Sequence, residues 1–177
     1  MEKRTKEAII QAFNDLIERY EFEDITIQMI CKKAEVSKAT FYRYFKDKYD
    51  VMNENYKTLL DYYSGSSQSH DYYSLYLNLF NAGKEHLIKT RKSFKTTGIN
   101  SFRHFIFRYS YDLLIRITEQ NRNRDGLTQQ EILQCDVFCH GVSYMYEDWI
   151  SGKYDLTAEE AASLLYNMMP DSLKYTW

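Results

Sequence analysis

The chain has 177 residues, of which 44% are hydrophobic and 27% charged, and its formal net charge at pH 7 is −2. This balance is typical of a globular protein, and no stretch approaches the ~18 consecutive apolar residues of a membrane-spanning helix. The N-terminal residues lack an apolar segment of signal-peptide length, and three cysteines do not indicate a disulfide framework, so we expect a cytoplasmic protein with no membrane partner.

The chain is poor in residues that interrupt helices. It contains six glycines and one proline, and no long region alternates apolar and polar residues as a half-buried strand does. We therefore predict an all-α fold of about nine helices. The first should cover about Arg4–Tyr20, because apolar residues recur along it at helical spacing: Ile9, Phe13, Leu16, Ile17 and Tyr20.

Two short helical segments separated by a tight turn follow the first helix. Thr26 is suited to cap the first segment and Ser37 the second, since a hydroxyl there accepts a free backbone N–H. Residues 35–37 are too few for anything but a turn, and Val36 within it is apolar. This is the helix-turn-helix layout. The apolar residues of each segment share one face: Ile27, Ile30 and Ala34, then Phe41 and Phe45.

The second segment, about Lys38–Phe45, carries polar side chains away from its phenylalanine face: Lys38, Thr40, Tyr42, Arg43 and Tyr44. Such side chains bind phosphate oxygens and base edges in DNA. The first 57 residues are neutral overall, with eleven basic and eleven acidic residues. Residues 32–48, however, hold six basic against two acidic residues. Because phosphate affinity follows the local basic surface, this distribution favours DNA binding.

This part of the chain resembles the DNA-binding head of the TetR family of bacterial transcription regulators. The family pattern is Val-Ser-x-x-Thr-aromatic-Tyr-x-aromatic-Phe with a lysine shortly after, and residues 36–45 read VSKATFYRYF, followed by Lys48. The resemblance extends from about Ile9 to Val51. It implies a helix-turn-helix DNA-binding domain over residues 1–46 and a C-terminal regulatory and dimerisation domain over residues 47–177.

The chain departs from the family pattern at two turn positions. The family usually has glycine where this chain has Glu21 and Glu35. Glycine there suits a left-handed backbone, which glutamate adopts only at a cost in free energy. If both turns keep that backbone, both glutamates are strained.

The resemblance also implies roles for single residues. The hydroxyls of Tyr42 and Tyr44 would bind phosphate oxygens. Lys48 would lie at the N-terminus of the fourth helix, where backbone N–H groups also favour an anion, and Thr26 would touch phosphate while capping its helix. Base readout would involve arginine or lysine on guanine and methyl groups on thymine, and falls to Gln28, Lys38, Ala39, Thr40 and Arg43.

The fourth helix should begin after Asp47, a suitable cap, and leave the head for the second domain. This helix should run to about Tyr63. Apolar periodicity and polar, glycine-containing stretches predict the next elements in chain order: a polar loop at 64–69, a helix at about 72–90, a short helix or irregular turn at 93–98, a helix at 101–122 and a loop at 121–126.

The last two predicted helices begin with capping boxes, Thr128–Glu131 and Thr157–Glu160, and Pro170 should end the second. One head reads few base pairs, so such proteins bind palindromes as dimers. These two apolar helices would form a four-helix interface in which Gly141 permits close approach; alternatively, they close the core of one protomer. Predicted interface residues are Phe138, Val142, Met145, Trp149, Leu164, Leu165 and Met168.

Seventeen tyrosines and ten phenylalanines are a high aromatic count, and most lie after residue 55. In the family a small-molecule effector binds the C-terminal domain and releases DNA, and a mostly apolar pocket with a few hydroxyls suits such a ligand. The alternative is that these aromatics are ordinary core. Candidate pocket residues are Tyr63, Tyr76, Phe80, Phe102, Phe105 and Tyr109.

Cys135, Cys139 and His140 form one further cluster. Cysteines four residues apart share a helix face and can bind a soft metal or sense an oxidant. Within an apolar helix, buried cysteine acting as a small hydrophobe explains them better. No catalytic triad, phosphate loop or zinc signature is present, so we predict no catalytic residues, no metal and no cofactor.

The resemblance therefore implies a homodimeric regulator that binds a double-stranded DNA operator, in most members a repressor, with a possible small-molecule effector. One alternative is a related regulator that acts through a protein partner without a small ligand. Another is a helical small-molecule-binding protein whose head has lost DNA affinity, which the neutral head and Glu35 favour slightly. Salt-dependent binding to a palindromic duplex separates these hypotheses.

Overall fold

The computed structural model describes residues 2–65, 71–122 and 126–174, and this part of the chain is all-helical, as predicted. Besides a 3-10 turn at Phe22–Asp24, its elements are α1 (Glu2–Arg19), α2 (Ile27–Lys33), α3 (Lys38–Tyr44), α4 (Lys48–Gly65), α5 (Tyr72–Glu85), α6 (Leu87–Phe94), α7 (Phe102–Arg122), α8 (Gln129–Ser151), α9 (Ala158–Met168) and α10 (Asp171–Lys174). Within the described ranges, no helix is long and apolar enough to cross a membrane.

The head is built around α1, which packs on α2 and on α4. Ile9, Phe13 and Ile17 of the predicted stripe are at most 1% exposed. Tyr20 was placed on the same stripe, and this was wrong, since its side chain is 44% exposed. The physical reason is that α1 ends at Arg19: Tyr20 still donates its N–H to the carbonyl of Leu16 at 2.9 Å, but it is the residue that ends the helix and its ring lies at the edge of the packed face.

The C-terminal part packs its helices in pairs. α5 lies against α9 and α4, α7 lies against α8 and α4, and α6 lies between α1 and α8. Aromatic rings fill the centre in edge-on contacts, with centroids 4.9 Å apart for Phe80 and Trp149 and 4.7 Å apart for Phe94 and Phe102. Such geometry is favoured between aromatic rings.

The caps predicted for the starts of α4, α8 and α9 are confirmed. Both capping boxes form, with the hydroxyls of Thr128 and Thr157 accepting from the third helical N–H while the glutamate there accepts from the cap residue. Asp47 caps α4 by accepting from the N–H of Asp50 at 2.8 Å. These caps could be predicted because each hydrogen bond joins residues within one turn of the helix.

Three predicted boundaries were wrong. The single helix predicted over 72–90 is divided at His86, whose φ of −114° and ψ of 38° leave the helical region, so α6 starts there rather than at 93. No glycine or proline marks this break. The loop predicted at 64–69 starts later because α4 reaches Gly65, and the short α10 after Pro170 was not predicted. The remainder of that loop, and residues 123–125 of the loop at 121–126, lie outside the described residues.

Gly83 allows α5 to approach α8 closely. A β-carbon added there would lie 2.8 Å from Cδ1 of Ile150 and 2.9 Å from the hydroxyl-bearing ring carbon of Tyr146, and still nearer its hydroxyl. Tyr146 is only 1% exposed, so its ring has little room to move.

We expect Gly83→Ala to lower the free energy of unfolding by ~1–3 kcal/mol, because it overpacks a buried contact. Chemical denaturation followed by circular dichroism measures this. The double variant Gly83→Ala, Tyr146→Phe removes the nearest atom and should recover part of the loss beyond the sum of the single effects. Stability equal to wild type in Gly83→Ala would contradict the tight contact.

Candidate nucleic-acid interface

The turn between α2 and α3 is a Schellman motif. The N–H of Val36 donates to the carbonyl of Cys31 at 3.0 Å, and the N–H of Glu35 donates to that of Lys32 at 3.4 Å. Glu35 is left-handed, with φ of 54°, at the position where this motif usually has glycine. The expected strain is therefore present at Glu35, and the motif fixes the direction in which α3 leaves the turn.

Glu21, the other departure from the family pattern, does not keep a left-handed backbone. Its φ of −69° and ψ of 153° are extended backbone, so this turn requires no glycine. The physical reason is that a 3-10 turn follows directly, and an extended residue enters it without a left-handed step.

Hydroxyl caps hold the starts of α2 and α3, as predicted. Thr26 accepts from the N–H of Met29 at 3.2 Å, and Ser37 accepts from the N–H of Thr40 at 3.0 Å. The hydroxyls of Ser37 and Thr40 also lie 3.0 Å apart. The Thr40 side chain therefore takes part in the cap and is half-buried.

The two faces of α3 differ sharply. Phe41 and the residue that ends the helix, Phe45, are 0% and 2% exposed, and their ring centroids lie 5.9 Å apart. The opposite surface is polar, and its exposed side chains are Lys38, Ala39, Tyr42 and Arg43. Tyr42 is 56% exposed although it is a large aromatic residue. Four of the predicted DNA-binding residues are therefore exposed to solvent.

Arg43 and Tyr44 form a pair at the end of this surface. The guanidinium carbon of Arg43 lies 5.0 Å from the centroid of the Tyr44 ring, and a guanidinium nitrogen lies 3.4 Å from the tyrosine hydroxyl. Tyr44 is half-buried, so it supports the arginine. Thr26 and Gln28, at the start of α2, are also exposed.

Lys48 is the first residue of α4, where it was predicted, and its side chain bonds backbone carbonyls. Its Nζ donates to the carbonyls of Phe22 at 2.8 Å, Glu23 at 3.1 Å and Ile25 at 3.0 Å, and it lies 4.5 Å from the centroid of the Phe22 ring. Burial lowers the pKa of this lysine below its ordinary value. The ammonium thus joins the start of α4 to the α1–α2 connection (residues 20–26), and its three hydrogens are already bonded.

The structure also changes which lysines are available to contact DNA. Lys46 is exposed directly after α3 and extends its basic surface, although it was not among the predicted site residues. Its position after Phe45 was the available signal. Lys33, which counted toward the basic cluster, pairs with Asp15 at 2.9 Å.

Comparisons with known proteins agree with this head geometry. Residues 6–54 match the model described as "Bacterial regulatory proteins, tetR family", and residues 70–171 match "Transcriptional regulator C-terminal region" of TetR proteins. The chain belongs to the TetR family. It is therefore a DNA-binding transcription regulator that uses its helix-turn-helix, and the family is not one of enzymes.

A solved structure described as "Dihydroxyacetone kinase operon activator DhaS" is similar to this TetR-family chain over its length. The TM-score is 0.65 at 20% sequence identity, and 93% of each chain is covered. At this identity the likeness shows the fold. No curated protein matches the sequence.

The predicted ligand-binding residues are distributed between core and surface. Tyr76, Phe80 and Phe102 are at most 2% exposed and pack as core. Tyr63 and Tyr109 are half-buried, and their hydroxyls donate to Glu85 and, at 3.0 Å, to Asp61. The sixth, Phe105, stacks on Phe102 with centroids 5.9 Å apart. The structure thus brings Phe102 and Phe105 together, but the six residues do not line either of the two recesses beside α6.

Open recesses lie on either side of α6. One, of about 510 Å³, is lined by residues 84–89 together with Glu18 of α1. Another, of about 420 Å³, lies between α6 and α8 and is lined by Arg91, Phe94, Lys95, Glu147, Ile150 and Ser151. Both volumes fall in the range of small-molecule sites.

The predicted interface residues fall into three groups by exposure. Val142, Trp149 and Leu165 are buried within the protomer, and the indole N–H of Trp149 donates to the carbonyl of Leu156 at 2.9 Å. Leu164 and Met168 are 41% and 70% exposed. The remaining two, Phe138 and Met145, are half-buried.

The cysteine cluster does not form one site. Cys135 and Cys139 are at most 1% exposed, and burial raises the pKa of the Cys139 thiol. His140 lies on the surface, with its ring centroid 3.9 Å from that of Phe107. The thiols therefore behave as small hydrophobes, and the metal or redox alternative lacks support from this geometry.

We expect Glu35→Gly to raise the free energy of unfolding by ~0.5–1 kcal/mol, since release of left-handed strain exceeds the added entropy of the unfolded chain. Thermal unfolding measures this. Glu35→Ala is the matched control, because it removes the carboxylate but keeps the strained β-carbon and should stay near wild type. Equal stabilisation by both variants would assign the effect to charge instead.

Proposed function

We propose that the protein is a homodimeric transcription regulator that binds a palindromic DNA operator, with α3 of each protomer in the major groove. The observation that carries this is the division of α3: Phe41 and Phe45 lie in the core while Lys38, Ala39, Tyr42 and Arg43 face solvent. An exposed row of this chemistry suits phosphate and base edges. As in most of the family, we take repression as the outcome of operator occupancy.

The geometry supports a role for each residue of this surface. We expect Arg43, which lies against the Tyr44 ring, to read guanine and the exposed methyl group of Ala39 to contact thymine. Lys38, Tyr42 and Lys46 supply phosphate contacts. We assign Lys48 to holding the head together rather than to phosphate, because three carbonyls already occupy its ammonium.

An apolar surface on α8 and α9 supports dimerisation. On α8 the exposed side chains Leu133, Val137 and Tyr144 recur at helical spacing, and they are 57–66% exposed. Gly141 lies on the same face, and a β-carbon there would meet nothing within 4 Å. The α9 residues Leu164 and Met168 add to it. Exposed apolar side chains on both helices favour an interface there.

We propose that an effector binds the C-terminal domain in a recess beside α6. The aromatic residues predicted to line its site fill the core, whereas the open recesses at α6 have suitable volumes. The second candidate, control by a protein partner, is favoured by the same packing, because Tyr76, Phe80 and Phe102 are at most 2% exposed and line neither of these recesses.

Arg43→Ala tests the DNA-binding proposal. We expect a loss of ~1–3 kcal/mol in operator binding, with relaxed specificity at one base pair. Gel shifts on the operator, obtained by selection from random duplexes, and on a scrambled duplex measure this. Lys57→Ala, on the exposed surface of α4, is the control. Equal loss on both duplexes would show that Arg43 contacts phosphate only.

Val137→Glu tests the dimer. The variant should sediment as a monomer at concentrations where wild type is a dimer, since a charge would be buried without a partner. Ile99→Glu is the control, because Ile99 is 79% exposed in the loop between α6 and α7 and belongs to neither helix of the proposed interface. An unchanged dimer in Val137→Glu removes this face from the interface.

A further inference from the structure

α6 contacts both the head and the C-terminal helix α8 through two adjacent cations. Lys92 donates to three carbonyls at the end of α1, those of Ile17 at 2.8 Å, Glu18 at 3.1 Å and Tyr20 at 3.0 Å. The neighbouring Arg91 donates from Nε to the carbonyl of Ile150, in the last turn of α8, at 2.7 Å.

These contacts match the charges of helix ends. The last carbonyls of a helix lack intrahelical partners and carry partial negative charge, so a cation there both bonds and neutralises them. α1 ends at Arg19 and α8 at Ser151, so each cation meets the final turn of a different helix.

Further contacts fix the position of α6. Lys89 pairs with Glu18 at 3.1 Å, and Lys95 pairs with Glu21 at 2.8 Å, so three lysines of this region face the end of α1. The buried hydroxyl of Tyr56, on α4, donates to that of Thr90 at 3.0 Å. α6 is therefore bonded to α1, α4 and α8.

The α1–α2 connection is held from both sides. Lys92 bonds carbonyls up to Tyr20, and Lys48 of α4 bonds those of Phe22, Glu23 and Ile25. This connection leads directly into α2, whose end sets the turn before α3. Lys92 is therefore bonded to the segment that precedes the helix-turn-helix.

We propose that Lys92 and Arg91 are positioning residues for DNA binding, because they fix the head at one angle to α8 and so set the distance between the two α3 helices of a dimer. This rests on the proposed dimer through α8 and α9. Half-sites on one side of a duplex are about 34 Å apart, so operator affinity depends on that distance.

Lys92→Met is the test, since methionine keeps much of the apolar stem but removes the ammonium. Operator affinity should fall about fivefold to tenfold, a size usual for coupling between sites. The slope of log affinity against log salt should stay unchanged, because no phosphate contact is lost. Arg91→Met should act in the same direction. Lys57→Met should stay within twofold, and Lys92→Arg should restore most of the affinity.

Two results would overturn the proposal. One is wild-type affinity in Lys92→Met, and the other is a salt slope reduced by about one, which would make Lys92 a phosphate contact. Hydrogen exchange at the amides of residues 20–25 provides a readout without DNA: exchange should be faster in Lys92→Met than in Lys57→Met, and equal rates contradict the proposal. A wild-type protein that binds no duplex would instead refute the proposed function, while the exchange result still tests the contact.

Discussion

The DNA-binding surface of α3 depends on the burial of Phe41 and Phe45. Full burial of each ring contributes about 1.5–3 kcal/mol relative to exposure, and both rings lie at most 2% exposed on the same side of the helix. Rotation of α3 about its axis would bring one or both to water. Exposing the phenylalanines would cost free energy, and this cost keeps the polar residues of α3 on the outside. The orientation of α3 therefore depends on this burial more than on the stability of so short a helix by itself.

A second constraint is the placement of charge at helix ends inside the protein. Lys48, Lys92 and Arg91 each bond backbone carbonyls of another element. These three residues are included in the count of basic residues, but their charged groups already bond the protein's own carbonyls and are unavailable for DNA phosphates. The basic surface that remains for DNA is therefore smaller than a count of lysines and arginines indicates, and it is concentrated on α3 and at Lys46.

The sequence was sufficient for features that depend on neighbours within one helical turn. Hydroxyl caps, capping boxes and the helix-turn-helix were predictable, because their hydrogen bonds join residues that are close along the chain. The break at His86, the inward-facing Lys48 and the core position of Tyr76 were not predictable. They depend on which helix, distant in the chain, packs against each side chain, and the spacing of residues along the sequence does not indicate which helices pack together.

The left-handed Glu35 has a consequence for how the protein searches a genome. Its exposed carboxylate lies in the turn directly before α3, so in the proposed docking of α3 it would lie beside the phosphate backbone. Attraction to random DNA is almost entirely electrostatic, so we expect this acid to shorten the residence time on unrelated sequences more than on a site where bases are also read. Together with a neutral head, it would raise the fraction of molecules free to encounter the operator.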